Sequence, residues 1–131
     1  MRRYMLDTDS VSFALRGVGR VGARILEHKP SQLCISSITL AELRYGAERK
    51  SSRKLHGLID AFVASVAVEP LDTAAANRFG DLAAALAKRG KPIGPFDTLL
   101  AAHSLTLGLT FVTHNVEHFE RVAGLKTESW V

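Results

Sequence analysis

Apolar residues fall along this chain in two spacings. Short unbroken runs occur at Tyr4-Met5-Leu6, Leu33-Cys34-Ile35, Val66-Ala67-Val68 and Thr110-Phe111-Val112. Runs of this length, closed by polar or turn residues, predict strands buried on both faces. They place strands over 3–7, 33–35, 66–71 and 110–113, with a last one near 125–127. Between them, apolar positions recur at three- and four-residue intervals. Ile38, Leu40, Ala41, Leu43 and Tyr45 make one broad face, and Leu55, Leu58, Ile59, Phe62 and Val63 make another. Helices are therefore predicted over about 20–28, 38–49, 53–65, 74–89 and 96–107, with a short one at 116–121. Residues 8–16 read as a short mixed segment broken by Gly17-Val18-Gly19, and Pro30 stops the helix before it. Strands alternating with helices call for a parallel sheet covered on both faces. The expected fold class is a three-layer α/β/α sandwich with a short, mainly parallel central sheet, in a single domain spanning 1–131.

Composition narrows the classes. A chain of 131 residues, 47% of them hydrophobic, supports one real core and excludes disorder. A single cysteine, Cys34, excludes an internal disulfide and reads as a small buried hydrophobe. No apolar run approaches the roughly 18 residues that span a bilayer. Asp7 and Asp9 interrupt any secretory core at the amino end. A reduced, cytoplasmic protein with no membrane partner is expected. The net charge of +4 permits a polyanion or an acidic protein as partner. A basic rim around an acidic hole suits a polyanion whose backbone meets a metal.

The candidate chemistry lies in carboxylates. Asp7 ends the first strand, Glu42 lies one turn into the helix after the second, and Asp97 starts the helix after Gly94-Pro95. In a parallel sheet these positions share the carboxyl edge, where ligands of open α/β sheets bind. Three acids meeting there would repel unless one held a proton or a hard cation joined them. Mg²⁺ fits, since it takes one or two carboxylates and keeps waters, and it can activate water against a phosphodiester. Each acid also has a structural explanation. Asp7 or Asp9 can cap the next helix, Thr39-Leu40-Ala41-Glu42 matches a capping box, and Asp97 can complement a helix dipole. Capping accounts for any one of them. It does not account for three of thirteen acids at equivalent ends.

Two other chemistries have partial signals. Asp7-Thr8-Asp9-Ser10-Val11 fits the Asp-x-Asp-x-Val nucleophile motif of haloacid-dehalogenase-type phosphatases, but no late pair of acids follows the last clear strand. His114 and His118 are four apart with His103 nearby, yet there is no His-Glu-x-x-His and no second cysteine, which argues against zinc.

Taken with their order and spacing, four stretches resemble the PIN-domain ribonucleases, specifically VapC-type toxins of toxin–antitoxin pairs. They are Tyr4–Asp9, Cys34–Ala47, Gly90–Asp97 and Val112–Asn115 with Glu117, Phe119 and Glu120-Arg121-Val122. The second and third look most like the subgroup that cuts initiator tRNA in the anticodon loop. The resemblance implies a metal-dependent endoribonuclease with Asp7, Glu42 and Asp97 as ligands of Mg²⁺, or of Mn²⁺. Many members carry a further acid where this chain has the neutral Asn115, which weakens a second metal and leaves Asn115 to orient a water. Asp9 would add charge nearby, and Thr8 or Thr113 would hydrogen-bond a ligand carboxylate or a phosphate. His114 is given no catalytic role. The resemblance also implies a homodimer, a VapB-type antitoxin that inserts a side chain into the acidic site, and RNA, with tRNA as the candidate substrate. Arg44, Arg49, Lys50, Arg53 and Lys54 form a basic segment suited to RNA or antitoxin, at least half of which should be plain solvated surface. Lys88, Arg89 and Lys91 flank the Asp97 loop and are better placed to guide RNA. Phe96 is positioned to stack a base, although a phenylalanine at a helix start more commonly packs inward. The same fold with a vestigial site would be a non-catalytic RNA- or partner-binding module.

Overall fold

The computed structural model describes residues 1–131. Five strands, β1 (Tyr4–Leu6), β2 (Leu33–Ser36), β3 (Ala67–Glu69), β4 (Thr110–Val112) and β5 (Thr127–Glu128), form one sheet in the order β3-β2-β1-β4-β5. Every neighbouring pair is parallel, with Met5 beside Cys34 on one side and Phe111 on the other. Seven helices cover it: α1 (Thr8–Arg16), α2 (Val21–Leu26), α3 (Ser37–Arg49), α4 (Arg53–Val63), α5 (Thr73–Lys88), α6 (Pro95–Leu107) and α7 (Val116–Phe119).

Side-chain alternation along the strands divides the interior into two cores. Leu6, Leu33, Ile35 and Val112 point to one face, where α1–α4 supply Val11, Val21, Leu43 and Ile59. Met5, Cys34 and Phe111 point to the other, where α5–α7 supply Leu86, Leu100 and Phe119. This is the expected three-layer sandwich. Each large apolar side chain so buried contributes about 1.5–3 kcal/mol, so even three-residue strands are held firmly between two layers.

The segment 8–16 is where the structure sharpens the sequence reading. Short and mixed in composition, it forms a nine-residue helix, α1, with Asp7 as the cap that the sequence offered. Its apolar residues are few, and its start is fixed by a capping bond, from Ser10 N–H to Asp7 Oδ1 at 2.7 Å, that hydrophobic periodicity does not register. Pro30, expected only to stop a helix, opens a 3₁₀ turn over Pro30–Gln32 that leads into β2. The third strand is shorter than expected, Ala67–Glu69 against 66–71, because Pro70 cannot extend the ladder.

The strand order sets the position of the site. The chain leaves β1 for β2 and β3 on one side, then crosses through α5 and α6 to β4 on the other. The carboxyl end of β1 is the point where the order reverses, and a crevice opens there in sheets of this kind. Asp7 is the first residue past that end. No helix is long and apolar enough to cross a membrane.

Candidate active site at the carboxyl edge

Asp7 is only 6% exposed. Its carboxylate caps α1 and sits against Ser10 and Thr113, whose hydrogen bonds favour the charged form. Burial outweighs them and raises its pKa, with a smaller push from Asp9. The capping explanation is thus correct for Asp7, and it fixes the carboxylate at the crevice.

Glu42 is not part of a capping box. The cap of α3 is Ser36, whose hydroxyl accepts from Ile38 N–H at 3.1 Å, so Glu42 lies well inside the helix. Its Oε1 instead accepts from the Thr8 hydroxyl at 2.5 Å, and Thr8 also lies 3.2 Å from Thr39 Oγ1. Burial raises the Glu42 pKa; the Thr8 bond lowers it; the charges of Asp97, Asp9 and Asp7 raise it further. Four acids from three segments therefore act on one point.

Asp97 lies in the first turn of α6. That turn starts from Gly94, at φ 94° and ψ 153°, followed by Pro95 as the first helical residue. A side chain is strained at such a φ, and Pro95 brings a φ already suited to the helix. The pair thereby fixes the angle at which Asp97 enters. Asp97 Oδ2 lies 3.1 Å from His118 Nε2, and the same nitrogen lies 3.1 Å from the carbonyl of Ile93. Both partners are acceptors, so Nε2 carries the proton. Burial raises the Asp97 pKa, and His118 opposes this.

Glu42 feels the charges of Asp7 and Asp97, and Asp9 adds to the negative charge at all three, but the acids are not drawn into a closed cage. No group of three or more His, Cys, Asp or Glu side chains stands close enough to hold a metal ion. Each acid is tied instead to its own neighbour: Asp7 to Ser10, Glu42 to Thr8, Asp97 to His118. The donor chemistry nevertheless suits a hard cation. It is all oxygen, and burial and mutual repulsion make every negative charge costly until a cation offsets it. Mg²⁺ needs only one or two direct carboxylates and completes its shell with water, so an open arrangement fits it better than it fits Ca²⁺ or zinc.

Asn115 lies just beyond β4. Its backbone N–H donates to Thr113 Oγ1 at 3.1 Å, which links it to the pocket of Asp7, and its exposed side chain shares a shallow depression with His118 and Arg121. The histidines do not gather for zinc. His103 is buried with Nδ1 2.9 Å from Ser36 Oγ, His118 holds Asp97, and His114 lies 4.0 Å from Asp9. Burial lowers the pKa of His103 and so favours the neutral ring. The roles of His118 and His103 escaped the sequence reading. The available signal for His118 was that α7, like α6, starts from the carboxyl edge.

Two further expectations are refined. Arg44 is not a hand for RNA: it donates to Asp60 Oδ1 at 2.5 Å and meets His56 Nδ1 at 2.9 Å, joining α3 to α4. Arg49, Lys50, Arg53 and Lys54 remain exposed. Beside the Asp97 loop, Arg89 donates to the carbonyl of Arg121 at 2.5 Å, while Lys88 and Lys91 are exposed. The phosphatase reading requires Asp7 as an attacking nucleophile, and its buried, capping carboxylate does not suit that task.

Known proteins resemble the chain over its whole length. It is 40% identical over 131 residues to a tRNA(fMet)-specific endonuclease VapC of Shigella flexneri, covering 99% of both chains. It is 36% identical over 132 residues to ribonuclease VapC2 of Haemophilus influenzae, covering 100% of both. The DNA-bound VapBC crystal structure from Salmonella typhimurium superposes with a TM-score of 0.93 at 37% identity, covering 100% of both chains. The PIN domain model matches residues 4–125. With the α/β/α fold and the acidic crevice already in place, these matches show that the chain belongs to the PIN domain family, among its VapC members.

Proposed function

We propose that this chain is the RNA-cutting toxin of a toxin–antitoxin pair, and that Asp7, Glu42 and Asp97 hold Mg²⁺, with Mn²⁺ as the alternative ion. The observation that carries the reading is the placement of these acids on one edge of the sheet at its switch point, where burial raises the pKa of each and the charges of Asp97, Asp9 and Asp7 add to the rise at Glu42. The names of the VapC relatives support a ribonuclease, and that of the Shigella protein supports initiator tRNA as the substrate. The VapBC complex among the similar structures supports a VapB-type antitoxin as partner. A homodimer accompanies this reading.

When bound, the cation supplies a nucleophile at neutral pH and offsets charge building on the phosphodiester. The protein side chains prepare the place. Ser10 and Thr113 hydrogen-bond the charged form of Asp7 and offset part of the cost of its burial. The Thr8 hydroxyl donates to Glu42, favours its charged form against burial, and holds its carboxylate in place. His118, anchored on the Ile93 carbonyl, orients Asp97. Asn115 presents a neutral amide at the rim, able to orient a water.

The test is cleavage of initiator tRNA and of an unrelated tRNA by the purified protein. Cutting of the initiator tRNA that stops in Asp97→Asn and in Glu42→Gln supports the full reading. RNA binding with no cutting at any Mg²⁺ or Mn²⁺ concentration assigns the chain as a non-catalytic module instead.

A further inference from the structure

The chain has six phenylalanines, two tyrosines and one tryptophan. Only Tyr45 and Phe96 are exposed, at 64% and 56%. Both line the same cavity, of about 600 Å³, whose remaining walls are Thr8, Ala41 and Glu42. That volume lies within the range of ligand sites, roughly 300–1,000 Å³. The cavity is therefore continuous with the acidic site through Glu42 and its partner Thr8. The expectation that Phe96 packs inward at its helix start is overturned: Pro95 and Asp97 set the turn, and the ring between them faces outward. Tyr45 lies three residues beyond Glu42 on α3, one turn along the same face. Arg49, one further turn along, places its guanidinium 5.9 Å from the centre of the Tyr45 ring and donates to the Tyr45 hydroxyl at 3.4 Å.

Two large rings left in water cost free energy that an ordinary packed position would recover. Their placement on one cavity, next to a carboxylate and below a cation, matches the parts used to hold single-stranded nucleic acid. Aromatic faces stack bases whatever their identity, and a nearby cation meets the backbone phosphate. We propose that Tyr45 and Phe96 hold one unpaired nucleobase of the RNA substrate, with Arg49 on its phosphate, and so position the neighbouring phosphodiester at Glu42. This deepens the ribonuclease reading and rests on it for the identity of the ligand. It also gives a reason for preferring loops, since a base paired within a duplex cannot enter the cavity.

The experiment measures binding and cutting separately. Binding is read by fluorescence anisotropy with a labelled single-stranded oligoribonucleotide and with its duplex, in chelator without metal. Cutting is read with Mg²⁺ as kcat and KM. The variants are Tyr45→Ala, Phe96→Ala, Tyr45→Leu, Phe96→Leu, Tyr45→Phe and Phe96→Tyr. All change exposed side chains, and circular dichroism confirms that they fold. The proposal expects each alanine variant to weaken single-strand binding about ten-fold or more, with the rise in KM exceeding the fall in kcat. It expects the leucine variants to lose nearly as much and the aromatic swaps to retain binding. Duplex binding is weaker and insensitive to all of them. Leucine variants that bind single strands like the parent would overturn the proposal, and would assign the cavity to an apolar protein partner instead. Alanine variants that both bind and cut like the parent would also overturn it, leaving the ribonuclease reading intact. Ring-dependent binding without any cutting would keep this inference and remove the catalytic reading.

Discussion

At the amino end of β1, Tyr4 packs edge-on against Trp130 and His28, with ring centres 5.1 and 4.9 Å apart. Trp130 is stacked on His28 at 4.6 Å and lies under the Arg24 guanidinium at 5.6 Å. At the carboxyl end, three residues away, stand Asp7 and the acids around it. The amino end joins aromatic and cationic surfaces that attract one another. The carboxyl end gathers like charges that repel and are partly desolvated. The same short strand thus carries an end arranged for stability and an end that is stable only at a cost. The contrast teaches where to look for function: among groups whose proximity the fold does not benefit from.

The contrast can be broken most sharply at the stabilising end. Trp130→Ala should lower unfolding free energy by about 3–5 kcal/mol, read by urea denaturation, while RNA cleavage below the new melting temperature persists. The indole N–H of Trp130 is buried without a partner. Trp130→Phe, which keeps an aromatic ring and removes that group, should therefore cost far less than the alanine variant.

At the other end the effects should invert. Asp97→Asn should reduce cleavage on the order of 10²–10³-fold and leave stability unchanged or higher, because it removes a charge from a repelling set. A large loss of stability in this variant would mean that the acids are structural. Thr8→Val removes the donor to Glu42 without changing the packing volume. It should reduce cleavage about 10–100-fold, as loss of a hydrogen bond behind a metal ligand does.

The smallest and broadest effect is on pH. Asp7, Glu42 and Asp97 all have folded-state pKa values above their ordinary ones. The folded state therefore binds more protons than the unfolded state between those two values. The stability these groups contribute is fully present below the ordinary carboxylate range and is lost as pH rises through the raised values. Unfolding free energy of the metal-free protein should increase as pH falls through that window, and the slope should flatten in the Glu42→Gln, Asp97→Asn double variant.

The sequence made most of the fold legible, for a physical reason. Buried parallel strands such as Leu33-Cys34-Ile35 must be apolar on both faces, and helices such as α4 must repeat at 3.6 residues, so run length together with period separates them. The weaker signal at α1 follows from the same logic. Its start is set by one polar bond between Asp7 and Ser10, which leaves no mark on apolar spacing. For the site, the positions of Asp7, Glu42 and Asp97 could be read because strand ends and helix starts of a parallel sheet share an edge. The support around them was only half visible. Thr8, adjacent to Asp7, was an evident candidate for holding a ligand carboxylate. His118 was not, because its meeting with Asp97 depends on how α7 lies across the Ile93 loop, and one chain's sequence does not encode that angle in any pattern.

The central claim, that the carboxyl edge is a cation site rather than a set of helix caps, is tested most directly by a Mg²⁺ titration of RNA cleavage after chelation. Purified protein should be inactive in chelator, recover with added Mg²⁺ or Mn²⁺, and fail to recover in the Glu42→Gln, Asp97→Asn double variant although that variant is folded. Full cleavage in chelator, or equal recovery by the double variant, would contradict the claim.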